Sequence, residues 1–237
     1  MRRPVKITLY TAERAPMAHP VLIALRELNV VHDLVHIDPY DKPDFYRPLT
    51  PTGRGLVPLL VVDGERLFES TVINEYLDEV FGAPRLLPED PVLRAKNRGW
   101  TLQAFDFLMA QAGLMAMKDR EDYERARLVL IAKLEKLEAQ ISAGPFFNGE
   151  RISLVDFQYA PVLLRQEILD RRFGTQVLPS FARLSRWTTH LAERPSIRDT
   201  LSPVGSSASF EEIFLPSFYD SFLTTQRAGR LYLKESP

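Results

Sequence analysis

The chain has 237 residues, 45% of them hydrophobic, which is enough for one large domain or two small ones around a sizeable core. Charged residues make up 26% and nearly cancel to a net charge of −1, so no electrostatic pull toward nucleic acid or an anionic membrane surface is expected. Cysteine is absent, which excludes disulfides, cysteine-based zinc sites and a cysteine nucleophile.

No apolar run approaches the ~18 residues of a membrane-spanning helix. The start, Met1-Arg2-Arg3-Pro4, is basic, but Lys6 and Thr8 interrupt any signal core, and a soluble cytoplasmic protein is expected. Residues 5–10 alternate weakly and read as a strand. Residues 16–28 read as a helix with Leu22, Leu25 and Leu28 on one face. Residues 30–37 are β-rich, and 41–49 are short and mixed. Residues 59–63 and 66–68 form a hairpin around Asp63-Gly64. Pro58 precedes the first of these strands, at the cost of one ladder donor. Ser70 stands where a helix N-cap should, with Val72, Ile73, Tyr76, Leu77 and Val80 as an apolar face behind it. The order is β-α-β-α-β-β-α, and four strands bury both faces only with the three helices packed on them, an α/β layering.

Pro84, Pro88 and Pro91 mark residues 84–91 as a linker, and strand signals stop there. Residues 92–118 and 123–141 read as long helices, the second with a stripe of Leu130, Leu134, Leu137 and Ile141. Ile152-Ser153-Leu154-Val155-Asp156-Phe157 is a helix start: Ser153 caps, Asp156 bonds back to the cap N–H, and Ile152 staples onto Phe157. Pro161 inside this helix predicts a kink. Residues 178–187 and 195–201 supply two more helices. The expected division is a first domain over 1–83, the linker 84–91, an all-helical domain over 92–202 and a tail over 203–237. The tail opens on a flexible joint at Gly205-Ser206-Ser207 and carries Phe210, Phe214, Phe218, Tyr219 and Phe222. It either roofs a pocket or covers apolar surface or a dimer contact.

A carboxylate beside a hydroxyl at a helix start, Glu69-Ser70, is suited to a zwitterion. The helix dipole and unpaired N–H groups take its carboxylate, and Glu69 takes its ammonium. The amino-acid end of glutathione is such a ligand. Val57-Pro58, followed by Glu69-Ser70 and Tyr76-Leu77, resembles the glutathione site of the cytosolic glutathione transferases. The element order over residues 5–202 and the Ser153-x-x-Asp156 box resemble the same family. The resemblance implies an α/β thioredoxin-like N-terminal domain plus an all-α helical C-terminal domain. It implies glutathione as co-substrate with no metal, a hydrophobic small-molecule second substrate, and a homodimer with the first domain of one subunit against the helical domain of the other. By the same resemblance, Pro58 is cis and Val57 pairs its backbone with the cysteinyl part of glutathione. Glu69 and Ser70 grip the γ-glutamyl end, and Arg54 reaches the glycyl carboxylate. The glutathione thiolate then attacks an electrophilic or ether-linked carbon and expels a leaving group.

The family places its thiolate donor, a Tyr, Ser or Cys, near the end of the first strand or the start of the first helix. The position that holds Ser or Cys in many members is Ala15 here, while Pro16 fits the pattern. Tyr10 and Thr11 remain as candidate catalytic residues, with Arg14 and His19 behind them. The alternative is the first helix's dipole with a backbone N–H near Ala15 or Met17. The loop Thr50-Pro51-Thr52-Gly53-Arg54-Gly55 is longer and richer in glycine than the family's Asn-Pro-x-Gly. His32, His36 and His190 lack metal-ligand spacing, and Gly53-x-Gly55 precedes a strand rather than the helix of a phosphate loop. Leu67-Phe68-Glu69-Ser70, Ser153-Leu154-Val155-Asp156 and residues 160–165 also resemble stringent starvation protein A. That second resemblance implies an alternative: a non-catalytic adaptor of the same fold, binding a protein partner such as RNA polymerase.

Overall fold

Alternation in β1 (Ile7–Thr11) divides the first half of the molecule into two faces. Ile7, Leu9 and Thr11 are buried on one side, and Thr8 and Tyr10 are half-buried on the other, as the two-residue period of a strand requires. The computed structural model describes residues 5–201. The basic start and the tail over 203–237, with its two expected roles as a pocket roof or as a cover for apolar surface or a dimer contact, lie outside the described residues.

β1 is followed by α1 (His19–Glu27), β2 (Asp33–His36), α2 (Tyr46–Leu49), β3 (Leu59–Val62), β4 (Glu65–Phe68) and α3 (Ser70–Phe81). The strands lie in the order β2-β1-β3-β4. β1 and β2 are parallel with Leu9 opposite Leu34, and the other two pairs are antiparallel, with Tyr10 opposite Leu59 and Leu60 opposite Leu67. Ile7, Leu9, Leu60 and Val62 pack with Val21, Leu25, Ile73 and Leu77 of α1 and α3. On the opposite face Leu59 and Ile37 pack with Tyr46 of α2, and Tyr10 and Val61 close over them. Helices on both faces satisfy the sheet, as expected for the α/β layering.

Several boundaries differ from the sequence reading, three of them at helix starts that bear on the site or the helical half. α1 begins at His19 rather than at 16, because Ala15 and Ala18 donate to Ala12 C=O and Ala15 C=O in a turn, each at 3.0 Å. Pro20 then sits in the first helical turn, where its missing N–H costs nothing. α3 begins at Ser70 itself, with Glu69 in the cap position. The expected helix over 178–187 is a 3-10 turn, Leu178–Ser180, leading into α7 (Ala182–Glu193).

The segment after α3 is tied down rather than loose. Asp78 is fully buried and accepts from Leu86 N at 2.6 Å, Arg85 Nε at 3.0 Å and Leu87 N at 3.3 Å. The remaining elements are all helical: α4 (Pro91–Ala116), α5 (Arg120–Glu138), α6 (Leu154–Phe173), α7 and α8 (Pro195–Leu201). α6 is central, with Leu154–Leu164 buried on every side, and it continues through Pro161. Its start carries the expected capping box, and Asp156 also accepts from Phe147 N at 2.9 Å and Trp187 Nε1 at 2.6 Å. One core runs from β1 through α1 and α3 into α4, α6 and α8, so the two halves share apolar packing. Among the described residues no helix is long and apolar enough to cross a membrane.

Candidate functional site

A cleft of about 570 Å³ opens where the head of α3 faces the loop before β3 and the middle of α4. One wall is Val57-Pro58 with a cis peptide between them, the second is Glu69, Ser70 and Thr71, and the third is Leu102 and Phe105 of α4. Met17, ahead of α1, and Arg54 complete the lining. The five expected glutathione contacts, Arg54, Val57, Pro58, Glu69 and Ser70, therefore meet around one space.

The loop that presents Arg54 and Val57 is built by Thr50. Its Oγ1 donates to Arg47 C=O at 2.9 Å and accepts from Gly55 N at 3.0 Å. Gly55 has φ +62°, and a Cβ there would also press within 3.1 Å of the Arg47 side chain, so glycine is required. From the α2 cluster, the Tyr46 hydroxyl donates to Leu56 C=O at 2.9 Å and fixes the approach to Val57. The extra loop length relative to the family pattern is thus held in one conformation by side-chain bonds.

At the opposite wall α3 begins with no side-chain cap. The first amides of a helix have no intrahelical partner, and here they belong to Ser70 and Thr71 in the cleft lining, at the positive end of the helix dipole. Glu69 adopts φ +68°, ψ +117°, a backbone region that costs a non-glycine residue about 1–3 kcal/mol. Its carboxylate remains exposed at the cleft edge. Ser70 is buried to 4% exposure, and its Oγ accepts from Gln158 Nε2 of α6 at 3.3 Å. Backbone donors, an acid and a hydroxyl thus share one wall of the cleft.

Tyr10 and Thr11 do not line the cleft. The strand period sends Tyr10 to the α2 face, where its ring centroid lies 5.5 Å from that of Tyr46. Thr11 is buried on the other face, and its Oγ1 has no hydrogen-bond partner among the described residues. Arg14 is exposed. His19 is buried in the first turn of α1, and its Nε2–H donates to Glu13 C=O at 3.0 Å. Burial first, and the nearby Arg165 guanidinium second, hold its pKa down to about 3, against the opposing Glu13 bond. Burial also pulls Arg165 down to about 9, and its Nη2 donates to Arg14 C=O at 3.4 Å. Of the two backbone candidates, the Ala15 N–H is already spent on Ala12, whereas Met17 stands in the cleft wall.

Sequence reasoning missed Thr50 and Gln158. Thr50 carried no signal beyond its place ahead of a glycine-rich loop. Gln158 did: it is the one amide in the largely apolar stretch from Leu154 to Leu164, where a buried polar group beyond the capping Asp156 needs a partner of its own.

Residues 9–85 match the family model of the glutathione S-transferase N-terminal domain, and residues 103–195 match that of the C-terminal domain. Glutathione S-transferase omega-1 from mouse (Mus musculus) is 27% identical over 235 residues, covering 98% of this chain and 88% of that protein. Two solved structures share the fold at lower identity. Glutathione transferase Omega 3C from Trametes versicolor is 24% identical with a TM-score of 0.76, covering 88% of this chain and 93% of the other. Rice GST1, solved in complex with glutathione, is 23% identical with a TM-score of 0.78, covering 99% and 100%. The two family models follow one another along the chain in the order of its α/β and helical halves, and the chain belongs to the glutathione S-transferase superfamily.

Proposed function

We propose that the protein binds glutathione in the cleft at the head of α3 and uses its thiolate to attack an electrophilic, hydrophobic small molecule. The observation that carries this reading is the uncapped start of α3, where Glu69 holds a costly backbone conformation beside the Ser70 hydroxyl, opposite Val57-Pro58. Free amides and a hydroxyl complement the α-carboxylate of the γ-glutamyl residue, and the Glu69 carboxylate complements its ammonium. An extended cysteinyl segment then lies along Val57, and Arg54 takes the glycyl carboxylate. Leu102 and Phe105, 63% and 51% exposed, offer apolar surface on the same cleft for the second substrate.

The sulfur lies over the mouth of α1. With Ala15 lacking a polar side chain and Tyr10 and Thr11 turned away from the cleft, its negative charge is held by the N-terminal dipole of α1 and the N–H of Met17. The reaction forms a carbon–sulfur bond and expels the leaving group with its electron pair. The reading carries with it a cytoplasmic homodimer. Ala15 also favours a second reading, a non-catalytic protein of the same fold that docks a protein partner.

Retention on immobilised glutathione separates the two. The parent is expected to be retained, and Ser70→Ala and Glu69→Ala each to weaken binding about 10- to 100-fold, the loss of one charge-assisted hydrogen bond. A parent that flows through the column supports the adaptor reading instead.

A further inference from the structure

Ser70 is held from the helical half of the molecule. Gln158, in the second turn of α6, is 1% exposed, and its Nε2 donates to Ser70 Oγ across 88 residues of sequence. Its Oε1 is also buried and has no partner among the described residues. A buried amide with one of its groups unmet is unfavourable compared with a leucine packed in the same space. Among the described residues, the one hydrogen bond that the Gln158 side chain makes ends on the hydroxyl in the cleft wall.

A serine hydroxyl has one proton and two lone pairs. A donor arriving from behind occupies a lone pair, so the proton is free to turn toward the cleft. We propose that Gln158 is a positioning residue that fixes the Ser70 hydroxyl as a donor, and so selects a ligand with an anionic oxygen, an α-carboxylate, at the head of α3. This rests on the glutathione reading above. The polarity matters because the opposite arrangement has the opposite preference. If Ser70 donated to Gln158 Oε1, its lone pairs would face the cleft and favour an ammonium. The α6 helix thereby takes part in recognition at a site otherwise built from the first domain and α4.

The test is a calorimetric cycle between protein and ligand. The ligands are glutathione, its analogue without the α-carboxylate (4-aminobutyryl-cysteinyl-glycine), and its analogue without the α-amine (glutaryl-cysteinyl-glycine). The proteins are the parent, Gln158→Met, Ser70→Ala and the double variant, with Gln158→Leu replacing Gln158→Met if its thermal melt shows it unfolded. The parent should disfavour the carboxylate-free analogue, and Gln158→Met should reduce that discrimination roughly 3- to 10-fold, the scale of one neutral hydrogen bond. Discrimination against the amine-free analogue should not change, and Gln158→Met should have no further effect in the Ser70→Ala background. Unchanged carboxylate discrimination overturns the inference, as does an equal loss for both analogues or a loss confined to the amine. Any of these with intact glutathione binding by the parent leaves the glutathione reading standing. A parent that binds none of the three ligands overturns that reading and this inference with it.

Discussion

His19 is a buried imidazole at the positive end of a helix, and burial is the largest influence opposing a charge on it. Burial, the Arg165 guanidinium and the α1 dipole disfavour the proton, while the Glu13 carbonyl accepts from Nε2. In the unfolded chain the same side chain titrates near ~6.5. Its folded pKa of about 3 is depressed, so its contribution to stability is fully present above pH ~6.5 and is lost as pH falls toward 3. Within that window the unfolded state binds one more proton, and stability declines by about 1.4 kcal/mol per pH unit from this group. Urea unfolding between pH 6.5 and 4 should therefore show a slope steeper by one proton in the parent than in His19→Gln; equal slopes would remove His19 from the account. A neutral His19 also keeps a second positive charge away from the turn that leads into α1, where the proposed thiolate site lies.

Helix junctions tie the two halves of the molecule together. Glu27, the last residue of α1, accepts from Arg194 Nε at 3.1 Å, from a second Arg194 nitrogen, and from Ser196 Oγ at 2.7 Å. Its side chain is only 12% exposed, so the bond set is more than a surface ion pair, and it fastens α1 to the α7–α8 corner. Glu27→Ala should destabilise the protein by about 1–3 kcal/mol in chemical denaturation, by leaving three donor groups on Arg194 and Ser196 unmet; a change below about 0.5 kcal/mol would show that the junction contributes nothing. Elements of this kind were legible in part. The stripes of α3 and α5 and the capping box of α6 stood out because one face is apolar and the turn chemistry is local. The start of α5 was read late, since Asp119, which caps it by accepting from Asp122 N at 2.9 Å, precedes three polar residues rather than an apolar one. The start of α1 was read early because Pro16 and Pro20 both suit a first turn. The head of α3 was read one residue off, and only the structure shows Glu69 in a positive-φ cap with Ser70 inside the helix. Residues 57, 58, 69 and 70 were legible as a set through family likeness. The Gln158 bond was not, because a contact across 88 residues leaves no mark in local periodicity.

Large apolar side chains remain exposed on both halves of the chain: Leu56, Phe68 and Val72 in the first, and Leu102, Phe105, Met109, Leu128 and Val129 in the second. Where such side chains adjoin one another they mark binding sites. The cleft accounts for Leu56, Phe68, Leu102 and Phe105. The proposed homodimer, first domain against the partner's helical domain, gives the others a place. Light scattering at micromolar concentration should return twice the chain's 27.1 kDa, and a monomeric mass would refute this pairing. The central claim concerns the cleft itself, and a crystal structure at saturating glutathione tests it most directly. The account predicts the γ-glutamyl carboxylate within hydrogen-bond reach of the Ser70 hydroxyl and the first amides of α3, the ammonium at Glu69, and the sulfur over the mouth of α1. A cleft without the tripeptide, or a tripeptide whose amino-acid end lies away from Glu69 and Ser70, would contradict it.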